Sequence, residues 1–301
     1  MLSLHTNSSA LSAQNSISRT QSSLSTSQTR LSTGFRVNSA MDDAAGLQIA
    51  TRLKAQSSGM AMAMRNTQNS ISMLQTAEGA FDEVTNMLIR MKDLATQAAD
   101  ASSTAKDQAA LQSEFDALGS ELNNVMKNST FGGAKLMDGG TIAASMTFQI
   151  GATKSEQMTI DLSTAMTALT GTALTAVSAR YAAGGAAVGT EISDGTDGTA
   201  SASNAAGQTA ANNTIDTIST AIDQVGGIRS SLGAASNRLD HIYNNLSNIS
   251  SNTKAATGRI MDTDFATESS NMTSSQMLLQ AGTAMLKQSN STSSLVMSLL
   301  Q

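Results

Sequence analysis

The chain has 301 residues, a formal charge of −5 and neither cysteine nor proline. Disulfides, thiolate metal sites and thiol nucleophiles are thereby excluded. With no basic cluster to neutralise phosphates, no nucleic-acid partner is expected.

No stretch reaches the roughly 18 consecutive apolar residues of a membrane span, so no membrane partner is expected. The N-terminus also lacks the cationic start and apolar core of a Sec signal peptide, so any export is expected to use a specialised route. Average proline usage of about 5% would give about 15 residues, so the chain is free of that type of helix interruption. Aromatics make up 3%, and the large anchors are Phe35, Phe81, Phe115, Phe131, Phe148, Tyr181, Tyr243 and Phe265. Extended helices packed through Leu, Ile, Ala and Met need few such anchors.

In the N-terminal arm the apolar positions Leu4, Leu11, Ile17, Leu24 and Leu31 are spaced 7, 6, 7 and 7 apart. That places one narrow stripe along a helix, the seam of a coiled coil. Between the stripe residues lie mostly Ser, Thr, Asn and Gln. Ordering such a helix costs more backbone entropy than its few apolar side chains return, so the arm is expected to be disordered alone and helical only against partners. After Gly34 and a polar cluster, Asn38 or Ser39 is expected to cap a second helix, with Asp42 and Asp43 in its first turn. That helix runs from about Ala40 to Ala99 on Leu53, Met60, Met64, Ile71, Leu74, Phe81, Val84, Leu88 and Met91.

A polar connection over 100–107 leads to a shorter helix marked by Leu111, Phe115, Leu118, Leu122 and Val125. Beyond Phe131-Gly132-Gly133 the period changes to two. Met146, Phe148 and Ile150, then Met158, Ile160 and Leu162, alternate around Gly151–Gln157 and predict a β-hairpin. Residues 163–210 are rich in Ala, Gly, Thr and Ser and carry the least pattern. Within them Glu191–Gly198 has the look of exposed turns, without the regular ligands of a calcium loop.

Helical spacing returns from Ile215 to Ile260, the longest unbroken 3/4 pattern in the chain. The C-terminal arm adds Leu278, Ala281, Met285, Gln288, Thr292, Leu295 and Leu299, again alternating by 3 and 4. The expected fold is mainly α. It comprises a long antiparallel helical bundle, coiled-coil terminal arms, a small β-hairpin region and a short variable middle. Its termini lie together at one end and its middle projects at the other.

Catalytic constellations are missing. His5 and His241 are isolated, which leaves no two-His metal site and no Ser-His-Asp arrangement without recruitment from distant segments. Asp42-Asp43 is accounted for by a helix start, and no HExxH, GxGxxG or phosphate loop occurs. The 18 methionines at helical spacing serve as adaptable core filler. No cofactor, no metal and no enzymatic activity are expected.

Several motifs together resemble the bacterial flagellins, subunits of the flagellar filament. They are Arg30-Leu31-Ser32-Thr33-Gly34-Phe35-Arg36-Val37-Asn38-Ser39-Ala40, Asp42-Asp43-Ala44-Ala45-Gly46 and Gln75-Thr76-Ala77-Glu78-Gly79-Ala80. Toward the C-terminus they continue in Arg259 through Glu268, Ser270-Asn271-Met272, Gln280-Ala281-Gly282-Thr283 and Leu299-Leu300-Gln301. The likeness covers about 1–162 and 205–301. The opening Met1 to Asn7 and the run Arg90-Met91-Lys92-Asp93-Leu94-Ala95 resemble lateral, swarming-type flagellins most.

The resemblance implies an inner coiled-coil arm at 1–40, outer-core helices and hairpin at 41–162, and a short surface-exposed variable region at 163–205. An outer-core helix at 206–256 and a second inner arm at 257–301 complete it. It also implies unfolded passage through the flagellar type III apparatus and a homopolymeric, extracellular helical filament serving motility. The implied partners are a chaperone on the C-terminal arm, a filament cap protein and a hook–filament junction protein. Polymerisation seams would use Leu4, Leu11, Ile17, Leu24, Leu31, Leu278, Met285, Leu295 and Leu299. Arg90, Leu94 and Glu114 match the pattern bound by host Toll-like receptor 5. The alternative is a hook–filament junction protein, which resembles flagellin at both ends but diverges in the C-terminal half, where this chain keeps the flagellin pattern.

Overall fold

The computed structural model describes residues 7–184, 189–193 and 204–299, and for 204 and 292–299 the backbone only. The fold is mainly α, with two small antiparallel sheets. Helices α1 (Ser8–Thr33), α2 (Ala44–Ala98) and α3 (Ala105–Asn128) come first. The strand pairs β1 (Thr130–Phe131) with β2 (Ala134–Lys135), and β3 (Ser145–Gln149) with β4 (Gln157–Asp161), follow. Then come α4 (Ser163–Ala168), a π-helical turn at Leu169–Ala173, α5 (Leu174–Val177), α6 (Ala179–Ala182), α7 (Asn204–Met261) and α8 (Phe265–Leu299). Two compact units result, 59–248 and a second made of 1–58 with 249–301.

In the 59–248 unit α2 and α7 are antiparallel. Arg229 of α7 meets Asp82 of α2 at 3.0 Å, while Leu246 clusters with Met60 and Ala63. The core stripe of α2 is Leu74, Ala77, Phe81, Val84, Leu88, Met91, Ala95 and Ala98, and that of α7 is Ile218, Ala221, Val225, Ile228, Leu232, Ala235 and Leu239. Each steps by 3 and 4, the interval that stacks side chains along one helix face. Phe115, Leu122 and Met126 of α3 close the third side.

Local signals set the element ends. Thr104 and Asp107 form a reciprocal capping box at the start of α3. At α2 the expected cap is displaced. Asp43 itself receives the Gly46 N–H at 2.8 Å, while Asp42 accepts from the backbone N–H groups of Ser39 and Asn38 and so closes the preceding turn. An aspartate one residue before the first helical position reaches the third amide better than Asn38 or Ser39 can from farther back.

The predicted hairpin forms as β3–β4, with Met146 opposite Ile160 and Phe148 opposite Met158. Its turn sits against α2 at Gly59, where an added Cβ would lie 2.7 Å from the Ala152 Cβ.

The largest departure from expectation concerns 163–193. Rather than a projecting, pattern-free segment, the described residues form short helices whose Met166, Leu169, Leu174, Val177 and Tyr181 are buried in the core. Glu191–Ser193, expected as exposed turn, includes buried Ile192 and Ser193. Residues 194–198 of that stretch lie outside the described residues. Residues 163–177 form one helical run interrupted by the π turn at Leu169–Ala173, and its buried Met166, Leu169, Ala173 and Val177 step by 3 and 4; Ala and Thr between them and the short span hide that stripe in the sequence.

Candidate functional site

The terminal arms were expected to need partners, and each finds its first one within the chain. Helices α1 and α8 lie antiparallel. Arg30 stands 3.8 Å from the buried Glu268, Ile17 faces Gly282, and the Asn7 amide donates to the Ser289 carbonyl at 3.3 Å. The half-buried face of α1 is Ala10, Ala13, Ile17, Thr20, Leu24 and Leu31, joined by buried Ser27. On α8 the matching face is Met272, Ser275, Leu279, Gly282, Leu286 and Ser289. Small and hydroxylated residues dominate both, so the backbones approach closely. A Cβ at Gly282 would stand 3.0 Å from Ile17 Cγ1.

This intrachain seam runs one residue beside the stripe expected for polymerisation. The stripe Leu278, Ala281, Met285 and Gln288 lies beside the intrachain face and points outward, with Leu278 62% and Met285 71% exposed. Spacing cannot choose between Leu278 and Leu279 or between Met285 and Leu286, because both series run at helical intervals. Gly282 decides, since only the face that holds it lets α1 come close. On α1 the predicted Ile17, Leu24 and Leu31 do face α8, whereas Leu11 is 56% exposed. An open groove between the helices has Ser9, Ser12 and Ser16 on one wall and Leu278, Ala281 and Met285 on the other. Leu4 and the side chains of Leu295 and Leu299 lie outside the described residues.

The two chain breaks beside the arms are stitched together. Gly34 ends α1 in the left-handed region at φ +76°, where its N–H reaches the Arg30 carbonyl. Thr263 then donates to the Gly34 carbonyl at 3.0 Å, and Arg36 donates from its backbone to Met261 and from its guanidinium to Ile260. The guanidinium satisfies a carbonyl in the last turn of α7. Asp264 starts α8. The Thr267 hydroxyl, with backbone N–H groups behind it, holds its carboxyl below the usual carboxylate value.

The residues matched to receptor recognition do not share one surface. Arg90 and Glu114 are exposed and paired, Nε to Oε1 at 3.0 Å and Nη2 to Oε1 at 2.6 Å. Leu94, by contrast, is 1% exposed and packs in the core, because it lies on the Leu88–Met91–Ala95 face of α2. The exposed surface here is therefore formed by Arg90 and Glu114 over a buried Leu94.

A buried polar network escaped the sequence reading. Asp116 on α3 accepts from Gln112 Nε2 at 2.9 Å and from the Gly189 N–H at 3.2 Å, and pairs with Arg180 at 3.5 Å. Gln112 also donates to the Glu191 carboxylate and accepts from the Ile192 N–H, each at 2.8 Å. Glu191 in turn receives the Ala179 N–H. The only sequence signal was the row Gln108, Gln112 and Asp116 on a helix face that ends up covered.

Among the described residues no group of three or more His, Asp or Glu is placed to hold a metal ion, and no helix is long and apolar enough to cross a membrane.

Residues 4–142 match the bacterial flagellin N-terminal helical region, and 215–300 match its C-terminal helical region. The chain is 34% identical to flagellin A of Vibrio anguillarum and 35% identical to flagellin A of Vibrio cholerae, with all of both chains covered in each case. It is 32% identical to polar flagellin A of Vibrio parahaemolyticus, over 99% of each chain. A solved structure of a putative flagellar hook-associated protein from Vibrio parahaemolyticus shares the fold, with a TM-score of 0.57 at 15% identity over 73% of this chain and 100% of that one. With matches to both helical regions and to full-length relatives, the chain belongs to the bacterial flagellin family.

Proposed function

We propose that the chain leaves the cell unfolded through the flagellar type III apparatus and polymerises beneath a cap protein into an extracellular filament that drives motility. The observation that carries this reading is the outward apolar stripe of α8, Met277, Leu278, Ala281 and Met285, which no part of the described chain covers. An apolar row beside an already satisfied seam suits a helix that packs against further helices, and a heterologous contact of that kind propagates into an open helical polymer. Leu11, Leu278 and Met285 serve as intersubunit contacts, whereas Ile17, Leu24 and Leu31 hold the two arms of one subunit together.

A chaperone masks the C-terminal arm before export, and a junction protein joins the filament to the hook. The lateral, swarming role rests on the opening seven residues and on Arg90–Ala95. Toll-like receptor 5 recognition rests on the exposed Arg90 and Glu114, with Leu94 supporting the helix from beneath. Arg90→Ala is expected to weaken receptor signalling in a reporter assay, and unchanged signalling would remove that part of the reading.

The experiment on the main proposal adds purified full-length chain to short filament seeds and follows growth by negative-stain electron microscopy. Long tubular filaments are expected from the natural chain and none from a Leu278→Lys variant or one lacking residues 1–33. Elongation by either variant at the natural rate would sink the proposal. Growth of the natural chain that stops after a few layers would favour the junction-protein reading.

A further inference from the structure

Among the described residues the methionines range from buried to exposed, with Met64, Met73, Met261 and Met272 half-buried. Met60, Met87, Met91, Met126, Met137, Met146, Met158 and Met166 are buried, all in the 59–248 unit. Met41, Met62, Met277 and Met285 are exposed, the last two at 60% and 71%. Met277 and Met285 stand on the outward stripe of α8, and Met285 lines the groove between α1 and α8.

We infer that Met277 and Met285 are oxidation sites that switch off assembly of the free subunit and become shielded once it is incorporated. The inference rests on the proposed use of the outward stripe as an intersubunit contact. A peroxide transfers one oxygen to the thioether sulfur. The S–O bond forms as the O–O bond breaks, the sulfur loses two electrons, and the peroxide is reduced to water. The sulfoxide is polar, chiral and a strong hydrogen-bond acceptor, in place of a flexible apolar group. Buried against a neighbouring subunit, it would require an N–H or O–H donor where the thioether needs only apolar contact. The eight buried methionines of the 59–248 unit lack access to the oxidant at doses that oxidise the stripe; the exposed Met41 and Met62 share that access, and a chain substituted at Met277 and Met285 keeps both as its internal control.

The test treats free full-length subunit with hydrogen peroxide, maps sulfoxides by peptide mass spectrometry and measures seed elongation. Sulfoxide at Met277 and Met285 is expected to slow elongation about tenfold or more, the ratio set by losing one buried methionine's transfer energy. A Met277→Leu, Met285→Leu chain given the same dose is expected to elongate like its untreated form. Methionine sulfoxide reductase is expected to restore elongation to the oxidised natural chain. Assembled filaments are expected to remain unoxidised at both positions.

Undiminished elongation by natural chain carrying both sulfoxides would overturn the inference, as would equal inhibition of the doubly substituted chain. If that variant fails to assemble untreated, the reductase decides alone, and loss of both sulfoxides without recovery would overturn it. Untreated Met285→Lys separates the two levels of the argument. Its normal elongation would refute the intersubunit stripe itself, whereas inhibited elongation of that variant combined with tolerance of the sulfoxides would refute only the oxidation switch.

Discussion

Asp116→Ala tests whether the buried network on α3 holds the 178–193 segment to the bundle. The carboxylate is nearly enclosed, its side chain 6% exposed; it takes hydrogen bonds from Gln112 and the Gly189 N–H and stands 3.5 Å from the Arg180 guanidinium. Removing one member of a buried ion pair costs about 3–5 kcal/mol, because the remaining charge loses its partner without regaining water. Arg180 keeps 28% exposure and recovers part of its hydration, which places the expected loss near the lower end, about 3 kcal/mol. For a unit of this size each kcal/mol lowers the melting temperature by about 2–4 °C, so a drop of about 6–12 °C is expected in calorimetry of the full chain.

The control lies two residues away. Glu114→Ala removes a shorter contact to Arg90, 2.6 Å, but both side chains are about half exposed, and the loss is expected to stay under about 1 kcal/mol. Hydrogen exchange should speed up at Gly189 and Ile192 in the Asp116 variant and remain unchanged in the Glu114 variant. Equal melting shifts for the two, or unchanged exchange at Gly189, would refute the assignment of the network as the clasp on this segment.

Other outcomes follow from individual contacts. Asp42, Asp100, Asp107, Asp161 and Asp264 all have their carboxyls held below the usual value by neighbouring N–H and hydroxyl donors. Their folded-state pKa values lie below the unfolded ones, so the stability they add is present above the ordinary value of 3.8 and disappears as pH falls below it; acid titration of helicity should be flat above about pH 5 and decline below pH 4. The Tyr181 hydroxyl is buried without a hydrogen-bond partner, and burial, with Asp138 adding to it, pushes its ionisation upward. Tyr181→Phe is therefore expected to stabilise by about 1 kcal/mol, and a destabilisation of that size in denaturant titration would reveal a satisfied hydroxyl. Gly282→Val adds branches where even a Cβ stands 3.0 Å from Ile17, so it should stop seed elongation while leaving the melting of the 59–248 unit unchanged. Normal elongation would show that the arms do not need this close approach.

How much of the molecule was legible depends on how long each periodic signal ran. The stripes of α2 and α7 extend for many turns, so Leu74 to Met91 and Ile218 to Leu239 identified their own core faces without tertiary knowledge. The hairpin was legible for the same reason, since Met146-Phe148 and Met158-Ile160 keep period two on both sides of one turn. In 163–177 the buried stripe Met166, Leu169, Ala173 and Val177 spans only about three turns and is diluted by Ala and Thr, and the described residues beyond it are held by Gln112 and Asp116 reaching across from α3. A buried glutamine and aspartate look in sequence like any solvated helix face; only the returning chain converts them into a clasp.

The arms fail differently, through excess signal. Leu278-Leu279 and Met285-Leu286 offer two apolar series one residue apart, and a single period fits either. What separates them is Gly282, whose missing side chain admits Ile17 and commits Leu279 and Leu286 to the intrachain seam. The other series is thereby left facing outward. A helix that has to satisfy one partner within its own chain and others beyond it requires two apolar stripes, so the two series that spacing alone leaves undivided are themselves the pattern expected of a subunit built to polymerise.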